Sequence, residues 1–98
     1  MEIVWGERAK KSYLKIRKDI CKKFTPKEEA EFVVQTFQTI ASIREFPRAF
    51  PKSERKKLKS TRKAVIHPHS TLFYRIESKK RIRLLLFWDN RRNPSKLK

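Results

Sequence analysis

From Arg8 to about Lys23, apolar residues return every three or four positions: Ala9, Tyr13, Ile16, Ile20 and Phe24. That spacing draws one stripe along a helix. Leu14 and Cys21 widen the stripe, and Lys10, Lys11, Lys15, Arg17, Lys18 and Lys22 fill the opposite side. The next helix opens at Thr25-Pro26-Lys27-Glu28, with a hydroxyl at the N-cap, proline at the first helical position and glutamate at the third. The Thr25 oxygen can accept from an otherwise unpaired backbone N–H, a contribution of about 1 kcal/mol. Ala30, Val33, Phe37, Ile40 and Ile43 mark the apolar stripe expected in the core, and Pro47 ends the helix. So short a joint makes the two helices an antiparallel hairpin.

The period changes on either side of this pair. Glu2–Trp5 is short and β-prone, and Gly6 breaks it. Residues 47–60 hold two prolines and many charges and read as a loop. Arg62–His67 reads as a strand stopped by Pro68. Thr71–Glu77 alternates with Leu72, Tyr74 and Ile76 on one side, Ser78-Lys79-Lys80 turns, and Arg81–Trp88 follows. Strict alternation there puts Ile82, Leu84, Leu86 and Trp88 in the core and Leu85 and Phe87 on the other face. The expectation is one α+β domain over residues 1–98. Its order is β-α-α-β-β-β: an antiparallel sheet with an N-terminal helical hairpin packed on one face.

Charge changes the picture more than composition does. Lys plus Arg number 27 and Asp plus Glu 10, a net of +17. Residues 1–49 hold 11 basic and 7 acidic residues, whereas residues 50–98 hold 16 and 3. So lopsided a field suits a polyanion or an acidic protein. The single glycine excludes glycine-rich phosphate loops, and the single cysteine excludes an internal disulfide. Cys21 reads as a small buried hydrophobe, in keeping with a reducing compartment. No apolar run nears the roughly 18 residues of a membrane span. The N-terminus lacks the layout of a signal peptide, so a cytoplasmic protein without membrane partners is expected.

Four stretches, in this order and spacing, carry a family likeness: IVWGERAKKSYLKI, IREFPRAFPKSE, HSTLFYRIESKKRIRLLLFWD and WDNRRNPSKL. Together the chain resembles the RelE/ParE superfamily of bacterial toxins, often labelled plasmid stabilisation proteins. The resemblance implies the toxin of a type II toxin–antitoxin pair, held inactive in a hetero-oligomer by a cognate acidic antitoxin. RelE-like members cleave mRNA in the ribosomal A site; ParE-like members bind DNA gyrase and are not nucleases. In the RelE pattern an arginine stands three residues before the middle-strand tyrosine. Here Thr71 holds that place before Tyr74. The tyrosine or histidine that serves RelE-like nucleases near the C-terminus is absent after Trp88. These departures make ParE-like inhibition of gyrase the leading expectation. A ribosome-dependent mRNA endonuclease is the alternative, and a small basic nucleic-acid-binding module the third.

The candidate residues follow. For catalysis in the nuclease reading they are Arg91, Arg92, His67 and His69, which could hold a scissile phosphate or move a proton. His67-Pro68-His69 falls short of a zinc pattern, and no metal or cofactor is expected. For the target, nucleic acid included, they are Lys52, Arg55, Lys56, Lys57, Lys59, Arg62, Lys63, Arg91 and Arg92, a cationic surface. For the antitoxin they are Phe73, Leu85 and Phe87, apolar anchors flanked by Arg75, Arg81 and Arg83 on the face away from the helices.

Overall fold

The computed structural model describes residues 1–54, 60–68 and 70–92. The elements are β1 (Glu2–Trp5), α1 (Glu7–Lys23), α2 (Pro26–Glu45), β2 (Arg62–His67), β3 (Ser70–Ser78) and β4 (Arg81–Asp89). The helix boundary at Thr25 follows from its cap: Thr25 Oγ1 accepts the Glu28 N–H at 3.1 Å, with Pro26 next to it in the first turn.

The four strands lie in the order β1-β4-β3-β2. β2, β3 and β4 are antiparallel, but β1 pairs parallel to β4, from Glu2 opposite Arg81 to Trp5 opposite Leu84. The sheet is therefore mixed rather than wholly antiparallel. β1 leaves through a two-helix connection, which is long enough to permit a parallel pairing that a hairpin turn cannot make. Gly6 makes the exit possible. Its N–H donates to the Leu84 carbonyl at 2.9 Å, and a Cβ on residue 6 would stand 2.9 Å from the same oxygen.

Both helices cover one side of the sheet. Ala9, Tyr13, Ile16 and Ile20 of α1 meet Leu72, Tyr74, Ile82, Leu84 and Phe87 in the main core. Trp5 stacks on Phe87 at 5.4 Å between ring centroids, and Tyr13 lies 5.2 Å from the same ring. Offset and tilted ring pairs of this kind add to area burial.

Three packing expectations are overturned. On α1, Leu14 and Cys21 face solvent instead of widening the buried stripe. The Cys21 thiol is pushed above its ordinary pKa, chiefly by its hydrogen bond to the Glu29 carboxylate, which favours the inert thiol over a nucleophilic thiolate. On α2 the buried side is Phe32, Thr36, Ile40 and Ile43, while Ala30 is exposed and Phe37 is 53% exposed. The helix carries two apolar stripes, and packing against α1 and β2 buries the one through Phe32. On β4, a bulge makes Phe73 pair with Leu86 while Tyr74 pairs with Leu84. Leu85 is the extra residue, so the alternation reverses beyond it. Phe87, expected on the far face, is 2% exposed in the main core, and Leu86 and Trp88 join Phe73 on the far side.

The bulge is supported from α1. β1 ends at Leu84, so β4 has no strand on that side further along. There the Ser12 hydroxyl accepts the Phe87 N–H at 2.9 Å and donates to the Arg8 carbonyl at 2.6 Å.

Candidate partner-binding face and basic clusters

The sheet's far side is built by alternation. Val4, Lys63, Val65, Thr71, Phe73, Arg75 and Arg83 all project opposite the helices. Phe73, Leu86 and Trp88 form a buried floor, with Leu85 half-buried against it. Val65 is 69% exposed beside it. Coverage of this face by the tail would involve residues 93–98, which lie outside the described residues.

The rim is cationic and partly neutralised. Arg75 and Arg83 stand directly opposite each other, a pairing that like charges disfavour. Glu77 relieves it: its carboxylate accepts from Arg83 Nε at 2.7 Å. That bond is the chief reason the Glu77 carboxyl is held below the ordinary carboxylate range. Arg81 Nε donates to Glu2 at 2.9 Å in the same manner. Of the six antitoxin candidates, Phe73, Arg75, Arg81, Arg83 and Leu85 belong to this face, and Phe87 does not, because the bulge turns it into the core.

The target-binding candidates divide. Lys52 and Arg62 line a pocket of about 370 Å³ with Arg48, Ser60, Thr61 and Ile76. Arg62 is structural there: its Nη1 donates to the Phe50 carbonyl at 2.7 Å and the Arg48 carbonyl at 3.2 Å. The loop is stitched to β2 by Ser53 N–H to Thr61 O and Lys63 N–H to Pro51 O, which holds Lys52 beside Arg62. Arg48 was not singled out in the sequence, although it follows the helix exit at Pro47 and lines the same pocket. Lys63 points the other way, opposite Phe73. Arg55, Lys56, Lys57, Lys59 and His69 lie outside the described residues.

Arg91 and Arg92 emerge at the far end of β4. Arg91 grips Asp89 with Nε at 2.9 Å and Nη2 at 2.7 Å, a bidentate pair that raises its pKa, and its guanidinium lies 5.7 Å from the Phe24 ring centroid. Arg92 lies over Trp88 at 5.2 Å. The register runs His67 to Ser70 to Asp89, so this cluster sits at the His67 end of β2 while the Lys52 pocket sits at the Arg62 end. Five strand steps, about 17 Å, keep the two basic clusters apart.

Thr71, which departs from the RelE pattern, and Tyr74, which keeps its tyrosine, both have structural partners. Thr71 Oγ1 hydrogen-bonds Asn90 Oδ1 at 2.9 Å. The Tyr74 hydroxyl donates to the Pro47 carbonyl at 2.6 Å, and burial pushes its pKa up to about 12. Among the described residues, no three His, Cys, Asp or Glu side chains gather into a metal-binding group. No helix among them is long and apolar enough to cross a membrane.

Two helices on a four-stranded mixed sheet, with a cationic rim on the side away from the helices, define the architecture of a small toxin of the RelE/ParE type. A family model described as "ParE toxin of type II toxin-antitoxin system, parDE" matches residues 3–94, and the chain belongs to that family. A chain of the chromosomal ParDE TA system from P. aeruginosa superposes with a TM-score of 0.74 at 12% identity, covering 91% of this chain and 95% of that one. A YoeB/ParE toxin from Agrobacterium tumefaciens gives 0.65 at 16% identity, covering 91% and 98%. Both share the fold. No curated protein sequence matches significantly. Membership makes this chain the toxin of a type II pair and implies a cognate antitoxin.

Proposed function

We propose that this toxin inhibits DNA gyrase in the cytoplasm and that a cognate acidic antitoxin neutralises it across the far face of the sheet. The observation that carries the gyrase reading is the structural use of the groups a RelE-like nuclease would put to work. Thr71 stands where the RelE pattern has its strand arginine and bonds Asn90, and Arg91 is paired with Asp89. A guanidinium already paired with a carboxylate is a weaker ligand for a phosphate.

The test measures gyrase supercoiling of a relaxed plasmid and mRNA integrity in a translating extract, each with the full chain added. The expected result is loss of supercoiling with intact mRNA. Rapid cleavage at ribosome-positioned sites with gyrase unaffected overturns the proposal. That outcome would support the ribosome-dependent endonuclease, which one observation favours: the strand register puts the His67 backbone at the same end of the sheet as Arg91 and Arg92. Absence of any growth defect on expression without the neighbouring gene would leave a basic nucleic-acid-binding module.

For the antitoxin, the far face offers apolar contacts at Leu85 and Val65 above a buried aromatic floor, with Arg75, Arg81 and Arg83 as its rim. An acidic segment is steered to such a rim and anchored by the apolar centre. Arg83→Glu combined with Leu85→Asp is expected to weaken the complex at least about tenfold with the fold intact. Unchanged binding rejects the assignment.

A further inference from the structure

The stripe that α2 keeps out of the core runs through Ala30, Val34, Phe37 and Ala41. The spacing is four, three, four, the seam that lets one helix pack along another. All four residues are exposed, Val34 at 54% and Phe37 at 53%. Two of them are large and stand at the middle of the helix; the Phe37 ring also lies 6.2 Å from the Trp5 ring and 6.5 Å from the Tyr13 ring, and about half of it stays exposed. A shallow groove of about 380 Å³ lies beside them, lined by Lys27, Ala30, Glu31, Val34, Gln35 and Gln38.

The charge around this stripe differs from the rest of the molecule. α2 holds Lys27 and Arg44 against Glu28, Glu29, Glu31 and Glu45, a net of −2 in a chain of +17. α1 holds eight basic residues against Glu7 and Asp19. An acidic partner is therefore drawn elsewhere, to α1 or to the arginine rim. The flanks of the stripe suit a second α2 running the opposite way. Lys27 and Glu45 lie at opposite ends of the helix on the same flank of the stripe, 18 residues or five turns apart. Both are exposed, and among the described residues neither has an ion-pair partner. In an antiparallel pair, residues on like flanks meet. Lys27 of one copy then faces Glu45 of the other, twice over.

We propose that two copies of this chain associate through α2, antiparallel about a twofold axis. The exposed part of each Phe37 ring packs beside Val34 of the other copy, along the groove. The small residues Ala30 and Ala41 bring the backbones close toward the ends, and the two Lys27–Glu45 pairs set direction and register. The inference rests on the arrangement of α2 alone and not on the gyrase reading. A single helix pair lies at the small end of protein interfaces, so the dimer is weak and concentration-dependent.

Sedimentation velocity of the full chain, purified free of its antitoxin and followed over a concentration series, is the test. The expected result is a reversible monomer–dimer equilibrium. Val34→Glu abolishes it with an unchanged thermal melt. Lys27→Glu or Glu45→Lys alone weakens it about tenfold, since two attractions become two repulsions. The double variant restores wild-type association. The charge variants keep the question answerable if Val34→Glu unfolds, because both sit in exposed end turns. A wild-type chain that stays monomeric throughout overturns the proposal, including the case where Val34→Glu weakens only antitoxin binding. So does a dimer indifferent to Val34→Glu or to the charge reversals, and so does a double variant that fails to recover.

Discussion

The two sides of the sheet are built from much the same residue types in β4 and do different things with them. On the helix side, Ile82, Leu84 and Phe87 meet α1 and an aromatic group of Trp5 and Tyr13. On the far side, Leu86 and Trp88 meet Phe73, and among the described residues the border is Arg75, Arg83, Lys63 and Glu77. Hydrophobicity does not separate the two sets. One inserted residue, Leu85, decides which aromatic supports the fold and which lies under a charged rim.

The largest expected difference comes from truncating one residue of each kind. Phe87→Ala empties a closed site in the main core and is expected to cost about 3–5 kcal/mol, as large aromatic truncations do. Leu85→Ala removes a half-buried side chain at the bulge and is expected to cost under about 1.5 kcal/mol, since much of its surface is already wet. Urea denaturation followed by circular dichroism compares them directly. Equal losses would mean that the bulge does not set the faces apart.

This contrast also measures what the sequence could tell. Thr25-Pro26 locates a helix start because its chemistry is local: one hydroxyl, one missing N–H. Arg62–His67 is bounded as expected because a strand between a charged loop and a proline has few alternatives. LLLFW is different. All five residues are apolar, so either phase of alternation reads equally well, and the bulge that settles the phase rests on a hydroxyl from Ser12, more than seventy positions away. α2 failed for a related reason. Two apolar stripes share one helix, and packing against both α1 and β2 chooses between them. The site was legible as charge but not as geometry. Arg62 and Arg91 looked available in the sequence, and both are held by oxygens of the chain itself.

The next two predictions probe the seams that hold the faces in place. Ser12→Ala removes the acceptor of the Phe87 N–H and leaves a partly buried donor without a partner, a loss of about 1–3 kcal/mol. Faster hydrogen exchange confined to the Phe87 amide region would locate the effect. Tyr74→Phe removes the bond to the Pro47 carbonyl and is expected to cost about 1 kcal/mol. It also changes the alkaline limb. Because burial raises the Tyr74 pKa from 10.0 to about 12, the folded state holds the phenol proton more tightly than the unfolded chain. That contribution is complete below the unfolded value and is lost as pH rises through the folded one. Wild-type stability should therefore fall across this interval more steeply than that of Tyr74→Phe. Parallel alkaline limbs would count against the buried hydroxyl.

The smallest expected effect lies on the arginine rim. Glu77 pairs with Arg83 beside Arg75, and its lowered pKa means that its contribution is present above the ordinary value of 4.5 and disappears as pH falls through the folded one. Glu77→Gln keeps the shape and discards the charge. At neutral pH the variant should be marginally less stable, because Arg83 then faces Arg75 without a carboxylate paired to it. In acid the two proteins should converge, since protonation makes the wild type resemble the variant. Added salt should narrow the neutral-pH gap as well, because the groups lie at the water interface. A gap that persisted in acid or in high salt would show that Glu77 acts through packing, and that the far face is held by contacts like those of the core instead of by balanced charge.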